Sequence, residues 1–504
     1  MNAITRRQFL QAAGATAAGL ALSQSNLLPA ESAPAQDRPN ILWICTDQQR
    51  YDTITCHGNK YIRTPNIDRL AAEGTSFTHA FCQSPVCTPS RSSFLTGRYP
   101  RTTRAHENGQ CIPADEVLVS RIFADAGYDC GLAGKLHISA CSGRPEKRIN
   151  DGYREFHWSH HPYPNWKENE YIQWIESKGY KWKDIYKVPA GKWAYAGVPA
   201  ELHQTKWCID KAIDFINEDH KTPWLMSVNI YAPHHPFDPS KEFLDRFDPD
   251  KLPDPAFIEG ELANKPAFQR RDHNAQGNER PPFSRLTPRE RREITAAYYA
   301  MIEQVDDNVG RILKMLDDTG RRKDTIVIFM SDHGELLGDH GIYLKGPYIY
   351  DCSTRVPLII SWPGHFRSGV KSDALVELLD VAPTLLDAAG IPVPDRMQGK
   401  PLTDILTGKV NEHRDHIYCE SYNTRVNTTA TTTMITMART KTCKIAVHHG
   451  SNPGELYDLQ ADPGEHVNLW NSKEHADMKT EMMNLCFDAS VATMDPVPMR
   501  IAPW

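Results

Sequence analysis

Three apolar runs constrain this chain more than anything else in it: residues 40–46 (NILWICT), 224–231 (WLMSVNIY) and 325–330 (TIVIFM). None shows the strict alternation of a strand with one wet face, so each reads as a strand buried on both sides. Between them lie stretches of helical periodicity, at 118–126, 206–216 and 288–316. Strands alternating with helices predict an α/β fold, a mostly parallel sheet with helices on its flanks. Each run stops at polar residues: Asp47-Gln48, then Pro233-His234-His235-Pro236, then Ser331-Asp332-His333-Gly334. A shorter strand at 128–133 leads into Gly134-Lys135-Leu136-His137. In open α/β sheets ligands collect beyond the carboxyl ends of the strands, which makes these residues the first candidates for chemistry.

The chain has 504 residues and a net charge of −6. That length asks for two domains or one large one with insertions. Near residue 410 the rhythm changes to short strands at 416–422, 433–438 and 443–448, closed by a helix at 474–487. This predicts a smaller antiparallel sheet with one helix over 411–504, after a larger domain over 36–410. Mild acidity without a Lys/Arg block argues against a nucleic-acid partner. No apolar run after the N-terminus reaches membrane-spanning length. Thr5-Arg6-Arg7-Gln8-Phe9-Leu10, a weakly apolar run and Ala33-Pro34-Ala35 resemble a twin-arginine signal peptide over 1–35. The expectation is export, already folded, to the periplasm or beyond. A helix at 67–73 is expected behind an Asn66 cap. Five of the eleven tryptophans fall within 151–195, either to stack on sugar rings or to form a small core of their own. The Pro-rich stretch 239–288 reads as a long loop or lid. Twelve cysteines are scattered without C-x-x-C spacing, and a Cys82–Cys87 bridge would remove Cys87 from any chemistry.

Cys87 matters because of its neighbours. In Cys87-Thr88-Pro89-Ser90-Arg91-Ser92-Ser93-Phe94-Leu95-Thr96-Gly97-Arg98, Pro89 suits a first helical turn and Gly97 a helix end. Cys87 then sits at a helix N-terminus, which favours negative charge, with Arg91 one turn on reaching the same spot. Taken alone, this describes a reactive thiolate or an anion site. Cys-x-Pro-Ser-Arg followed by Thr-Gly-Arg resembles the signature of the type I sulfatases. The likeness covers about residues 38–470, including Glu455-Leu456-Tyr457-Asp458-Leu459 with Asp462-Pro463, which resembles that family's C-terminal subdomain. It implies the alkaline-phosphatase-like fold. It also implies that a formylglycine-generating enzyme oxidises Cys87 to formylglycine, whose hydrate is the nucleophile.

The resemblance further implies roles. Asp47, Gln48, Asp332 and His333 would hold a divalent metal; the family's commonest pattern is Asp-Asp with Asp-Asn. The Asp-Gln/Asp-His form resembles a variant shared with phosphonate monoester hydrolases and several carbohydrate sulfatases. Carboxylate and amide oxygens suit calcium, the first expectation, while an imidazole also admits manganese or another transition metal. Lys135 and Lys345 match lysines that grip sulfate, His234 would protonate the leaving oxygen, and His137 would take a proton from the second hydroxyl. His57 and His340 are expected to be structural. The expected activity is hydrolysis of a sulfate ester, most simply of a carbohydrate in polysaccharide degradation. Two alternatives stand beside it: a phosphonate monoester or phosphodiester hydrolase of the same superfamily, and a non-catalytic glycan-binding protein.

Overall fold

The computed structural model describes residues 38–141, 144–164, 166–274, 280–422, 433–451 and 453–496. The signal peptide expected at 1–35 lies outside them. The three long apolar runs form strands β1 (Asn40–Thr46), β5 (Trp224–Ile230) and β6 (Thr325–Ser331), which share a nine-stranded sheet. β2 (Thr75–Phe81), β3 (Asp129–Gly134), β4 (Glu155–Trp158), β7 (Arg355–Val356), β8 (Leu358–Ser361) and β9 (Val370–Glu377) complete it. The order is β4-β3-β5-β1-β6-β8-β2-β7, with β9 also paired to β2. Pairing is parallel from β4 through β6, whereas β8 runs antiparallel to both β6 and β2.

Double-sided burial explains the unbroken apolar runs. Ile41, Trp43 and Cys45 of β1 face one core with Ile326, Ile328 and Met330 of β6. Leu42 and Ile44 face the opposite core with Val327 and Phe329. The first core is closed by the Cys87–Thr96 helix through Phe94 and Leu95, by Val119–Asp125 and by Val381–Ala388. Helices Gln204–Ile216 and Pro288–Asp318 close the second. The long Pro288–Asp318 helix starts with a complete Thr287/Glu290 capping box.

Two local expectations need correction. The helix expected behind Asn66 begins earlier, as Pro65–Ala72 after Thr64, because Pro65 takes the first helical position that its fixed φ favours. Asn66 instead donates to Asp306 of the long helix at 2.8 Å. Of the tryptophan-rich stretch, Trp174 and Trp182 pack onto the second main core and β4 joins the main sheet, so these parts of it do not form a core of their own. The stretch 239–288 carries short helices at Lys241–Leu244 and Ala267–Asn274, the latter burying Gln269 and Asp272.

A second, antiparallel sheet follows: β10 (Ile417–Tyr422), β11 (Met434–Arg439), β12 (Cys443–His448) and β13 (Glu455–Asp458). The Ala476–Ala492 helix covers it with Met482 and Cys486 against Ala438, Ile445 and Leu456. β10 touches the segment before the Cys87 helix, where the Glu420 N–H donates to the Gln83 carbonyl at 2.9 Å. None of the twelve cysteines is in a disulfide, and Cys87 is free of Cys82. Among the described residues, no helix is long and apolar enough to cross a membrane.

His57 is structural, bonded to the Tyr51 carbonyl at 3.0 Å and to Ser76 at 2.7 Å. His203 caps Gln204–Ile216 by accepting the Thr205 N–H at 3.2 Å, and burial pushes its pKa down to about 4. Below the ordinary imidazole value of 6.5 the unfolded chain therefore binds a proton that the folded one refuses. The contribution of neutral His203 is present above pH 6.5 and lost as pH falls toward about 4. Melting temperatures of wild type and His203→Gln, measured in parallel, should converge over that window. A gap that stays constant with pH would contradict the assignment.

Candidate active and metal site

Strand register builds the site. Thr46 at the end of β1 pairs with Ser331 at the end of β6, so Asp47 and Asp332 leave the sheet side by side. Next to β1, β5 delivers His234, and next to β5, β3 delivers Lys135 and His137. Four adjacent parallel strands thus supply every strand-end candidate. At the end of β3 only glycine fits: Gly134 has φ +108°, and an added Cβ would lie 1.9 Å from the Asn229 carbonyl oxygen of β5.

The Cys87–Thr96 helix lies over this edge with all ten of its residues buried. It ends at Gly97, whose φ of +67° lets its N–H return to the Ser93 carbonyl. Cys87 opens the helix with its sulfur 2.9 Å from Lys345 Nζ, 3.2 Å from His333 Nε2, and 3.7 Å from both Lys135 Nζ and Asp47 Oδ1. Arg91 binds Asp332 Oδ2 through Nε at 2.9 Å and the Lys135 carbonyl through Nη1 at 2.8 Å. Lys135 Nζ donates to Asp47 Oδ2 at 2.5 Å.

Charge follows from this geometry. Burial opposes ionisation of Asp47, but Lys135, Lys345 and Arg91 outweigh it and hold the carboxyl well below the usual range. Burial and Asp47 would keep Cys87 a thiol; Lys135, Lys345 and His333 overcome both and favour the thiolate. Asp332 is raised, first by burial and then by Asp47 beside it. His137 is driven well down by burial and by Lys135 and Arg91, and His234 by burial, Lys345 and His235. Both imidazoles are neutral in this state.

The residues present fit a divalent cation. Asp47, Cys87, Asp332 and His333 each place a ligand atom within 4.8 Å of the others. His333 Nδ1 donates to the Gly334 carbonyl at 2.9 Å, which leaves Nε2 as the nitrogen that would offer its lone pair to a metal once it gives up its proton. Gln48 sits at φ +69° with its carbonyl held by Tyr298 Oη at 2.6 Å, and its amide nitrogen donates to the Glu335 carboxylate. That bond fixes the amide orientation and leaves Oε1 buried without a partner, an oxygen that a cation would satisfy.

All ten sequence candidates therefore gather at one buried cluster. Two supporting carboxylates escaped the sequence reading. Glu335 orients Gln48 and was within reach, two residues past His333. Glu146 accepts the N–H groups of His137 at 2.7 Å, Ile138 at 2.8 Å and Ser139 at 3.2 Å, together with the Trp158 indole N–H. It holds His137 in a left-handed turn at φ +56°, and nothing in its Pro-Glu-Lys-Arg surroundings signals this.

Comparison with known proteins agrees with the geometry. Residues 39–391 match the family model described as Sulfatase, and residues 338–490 match the model described as N-sulphoglucosamine sulphohydrolase, C-terminal. The chain is 31% identical over 459 residues to an arylsulfatase of Clostridium perfringens, covering 87% of this chain and 91% of the relative. It is 26% identical to the N-acetylglucosamine-6-O-sulfatase of Bacteroides thetaiotaomicron, with coverage of 89% and 85%. Among solved structures, the phosphonate monoester hydrolase of Agrobacterium radiobacter superposes with a TM-score of 0.79 at 26% identity, covering 91% of this chain and 96% of that one.

A cation held only by the folded state stabilises it by mass action, about 2.7 kcal/mol at a hundred times its dissociation constant. Calcium added to chelator-treated protein should raise the melting temperature, and Asp332→Asn should abolish the response. An unchanged melting temperature in the wild type would refute an oxygen-rich cation site here.

Proposed function

This chain belongs to the sulfatase family, and from that premise we propose that it removes sulfate from a carbohydrate ester, with residue 87, matured to formylglycine, as nucleophile beside a calcium ion. The observation that carries the reading is the setting of Cys87. Two lysines, an acid and an imidazole that the sequence keeps far apart all lie within 3.7 Å of its sulfur. When present, the cation supplies Lewis-acid charge at this point and the hydrated aldehyde supplies the attacking oxygen.

The chain's own residues account for the rest. Lys135 and Lys345 flank position 87 and offer ammonium donors to the non-bridging sulfate oxygens. Arg91 stands behind them; by tying Asp332 to the Lys135 carbonyl it fixes the spacing between metal ligand and lysine. His234 donates Nδ1–H to the His235 carbonyl at 2.6 Å, so Nε2 is the position that exchanges a proton. Burial, Lys345 and His235 keep His234 neutral at rest. A bound sulfate ester offsets the lysine's charge and restores the imidazole's affinity for the proton that the leaving oxygen needs. His137, neutral and pinned by Glu146, is suited to accept a proton.

The carbohydrate assignment is supported by relatives named for sugar sulfates and by the aromatic rings beside Lys135. Lys135 Nζ lies 5.5 Å over the Tyr231 ring, Tyr231 adjoins His161 and His161 adjoins Trp166, which stacks on Trp158 at 5.6 Å. Maturation requires a formylglycine-generating enzyme acting before the Cys87 helix is buried. The twin-arginine segment fits this order, since that route exports folded protein to the periplasm or beyond. The likeness to a phosphonate monoester hydrolase supports a second reading, turnover of phosphonate or phosphate esters in the same cleft.

Cys87→Ala should abolish aryl-sulfate hydrolysis and leave bound calcium unchanged, measured on protein whose position 87 is shown by peptide mass to be converted in the wild type. Retained turnover would overturn the mechanism. Faster turnover of matched phosphonate than sulfate esters would favour the second reading.

A further inference from the structure

Beside the cation site a different set of donors gathers. His137, Cys141 and His160 each place a ligand atom within 4.8 Å of the other two. We propose that these three residues bind a second metal ion, a borderline-soft divalent cation of the zinc and cobalt class.

The scaffold brings the three together. His137 and Cys141 lie in the loop after β3, and His160 lies two residues after β4. Parallel pairing of Gly134 with Trp158 sets those loops side by side. Glu146 binds the backbone of 137–139 and the Trp158 indole together, which locks one loop to the other. The His137 and His160 rings meet edge to face at 4.4 Å.

Imidazole nitrogens of this group stand without partners. Both ring nitrogens of His160 and Nδ1 of His137 are buried and make no hydrogen bond. Buried imidazole nitrogens normally find a donor or acceptor, and a metal lone-pair bond satisfies the same need. The set contains two nitrogens and a sulfur and no carboxylate, a combination that selects zinc-like ions over calcium. The Asp47, Gln48 and Asp332 oxygens have the opposite preference. Two neighbouring sites would thus sort cations by ligand softness. Binding forms a bond from the Cys141 sulfur to the metal and releases the thiol proton to solvent.

The proposal goes beyond the sulfatase reading, and only its functional consequence rests on that reading: occupancy engages His137 and so withdraws it from proton transfer. A zinc-class ion would inhibit.

The test uses full-length, calcium-loaded protein carrying Cys87→Ser, so that position 87 offers no thiolate. Titration with cobalt(II) should produce a thiolate-to-cobalt charge-transfer band that saturates at one ion per chain. Adding Cys141→Ser should remove the band, and adding His160→Gln should weaken cobalt binding by more than about tenfold. No band, or a band undiminished by Cys141→Ser, would overturn the site. Should Cys141→Ser fail to fold, unchanged cobalt affinity in His160→Gln overturns it equally. In matured wild type, zinc should slow aryl-sulfate hydrolysis and should do so less in His160→Gln. Protein with no sulfatase activity but an intact cobalt band would refute the function while leaving the metal site standing.

Discussion

Two carboxylates, Asp47 and Asp332, emerge from neighbouring parallel strands into a space with no water-facing surface. Like charges buried this close are strongly unfavourable unless cations accompany them. Arg91, Lys135 and Lys345 are those cations, and each arrives from a different part of the chain. The register between β1 and β6 creates the repulsion, and the loops after β3 and β6 and the Cys87 helix supply its compensation. A fold that lost any one of these segments would leave an uncompensated buried charge. Structural need and the concentration of positive charge around position 87 are therefore one constraint.

The Cys87 helix illustrates the cost. Ser90, Arg91, Ser92 and Ser93 are all buried on it, which no packing argument favours. Two of them serve the strand ends: Ser90 donates to the Asp332 carbonyl and Arg91 to the Asp332 side chain. The helix is a rigid arm that carries residue 87 to Asp47 and His333 and holds it there. The same burial leaves position 87 almost no solvent-facing surface in the folded chain.

Much of this was legible in the sequence because the physics is local. Short apolar runs without alternation, bounded by polar residues, read as strands covered on both faces, and β1, β5 and β6 are such strands. Polar residues directly after them had to lie on one edge of a parallel sheet, so Asp47, His234 and Asp332 could be grouped before any coordinates existed. Lys345 and Gln48 were placed by resemblance to a family pattern, and the structure sets Lys345 against Cys87 and Gln48 against Asp332. What stayed hidden depends on tertiary contact. Glu146 acts through the backbone of residues nine, eight and seven positions away across an irregular loop. Trp174 and Trp182 looked like part of a sugar platform or of a separate core, because nothing local reveals which side of a helix meets the sheet. Asn66 had the chemistry of a cap, yet Pro65 decided where the helix began.

The central claim is that a cation and residue 87 share one cavity, closed by ligands from β1 and β6 and by two lysines. Diffraction from crystals of matured protein grown with calcium and inorganic sulfate tests it most directly. The account predicts cation density among Asp47, Gln48 Oε1, Asp332 and His333, with sulfate between Lys135 and Lys345 and the oxidised side chain of residue 87 facing both. Calcium bound elsewhere, or residue 87 turned away from an occupied cation site, would contradict it.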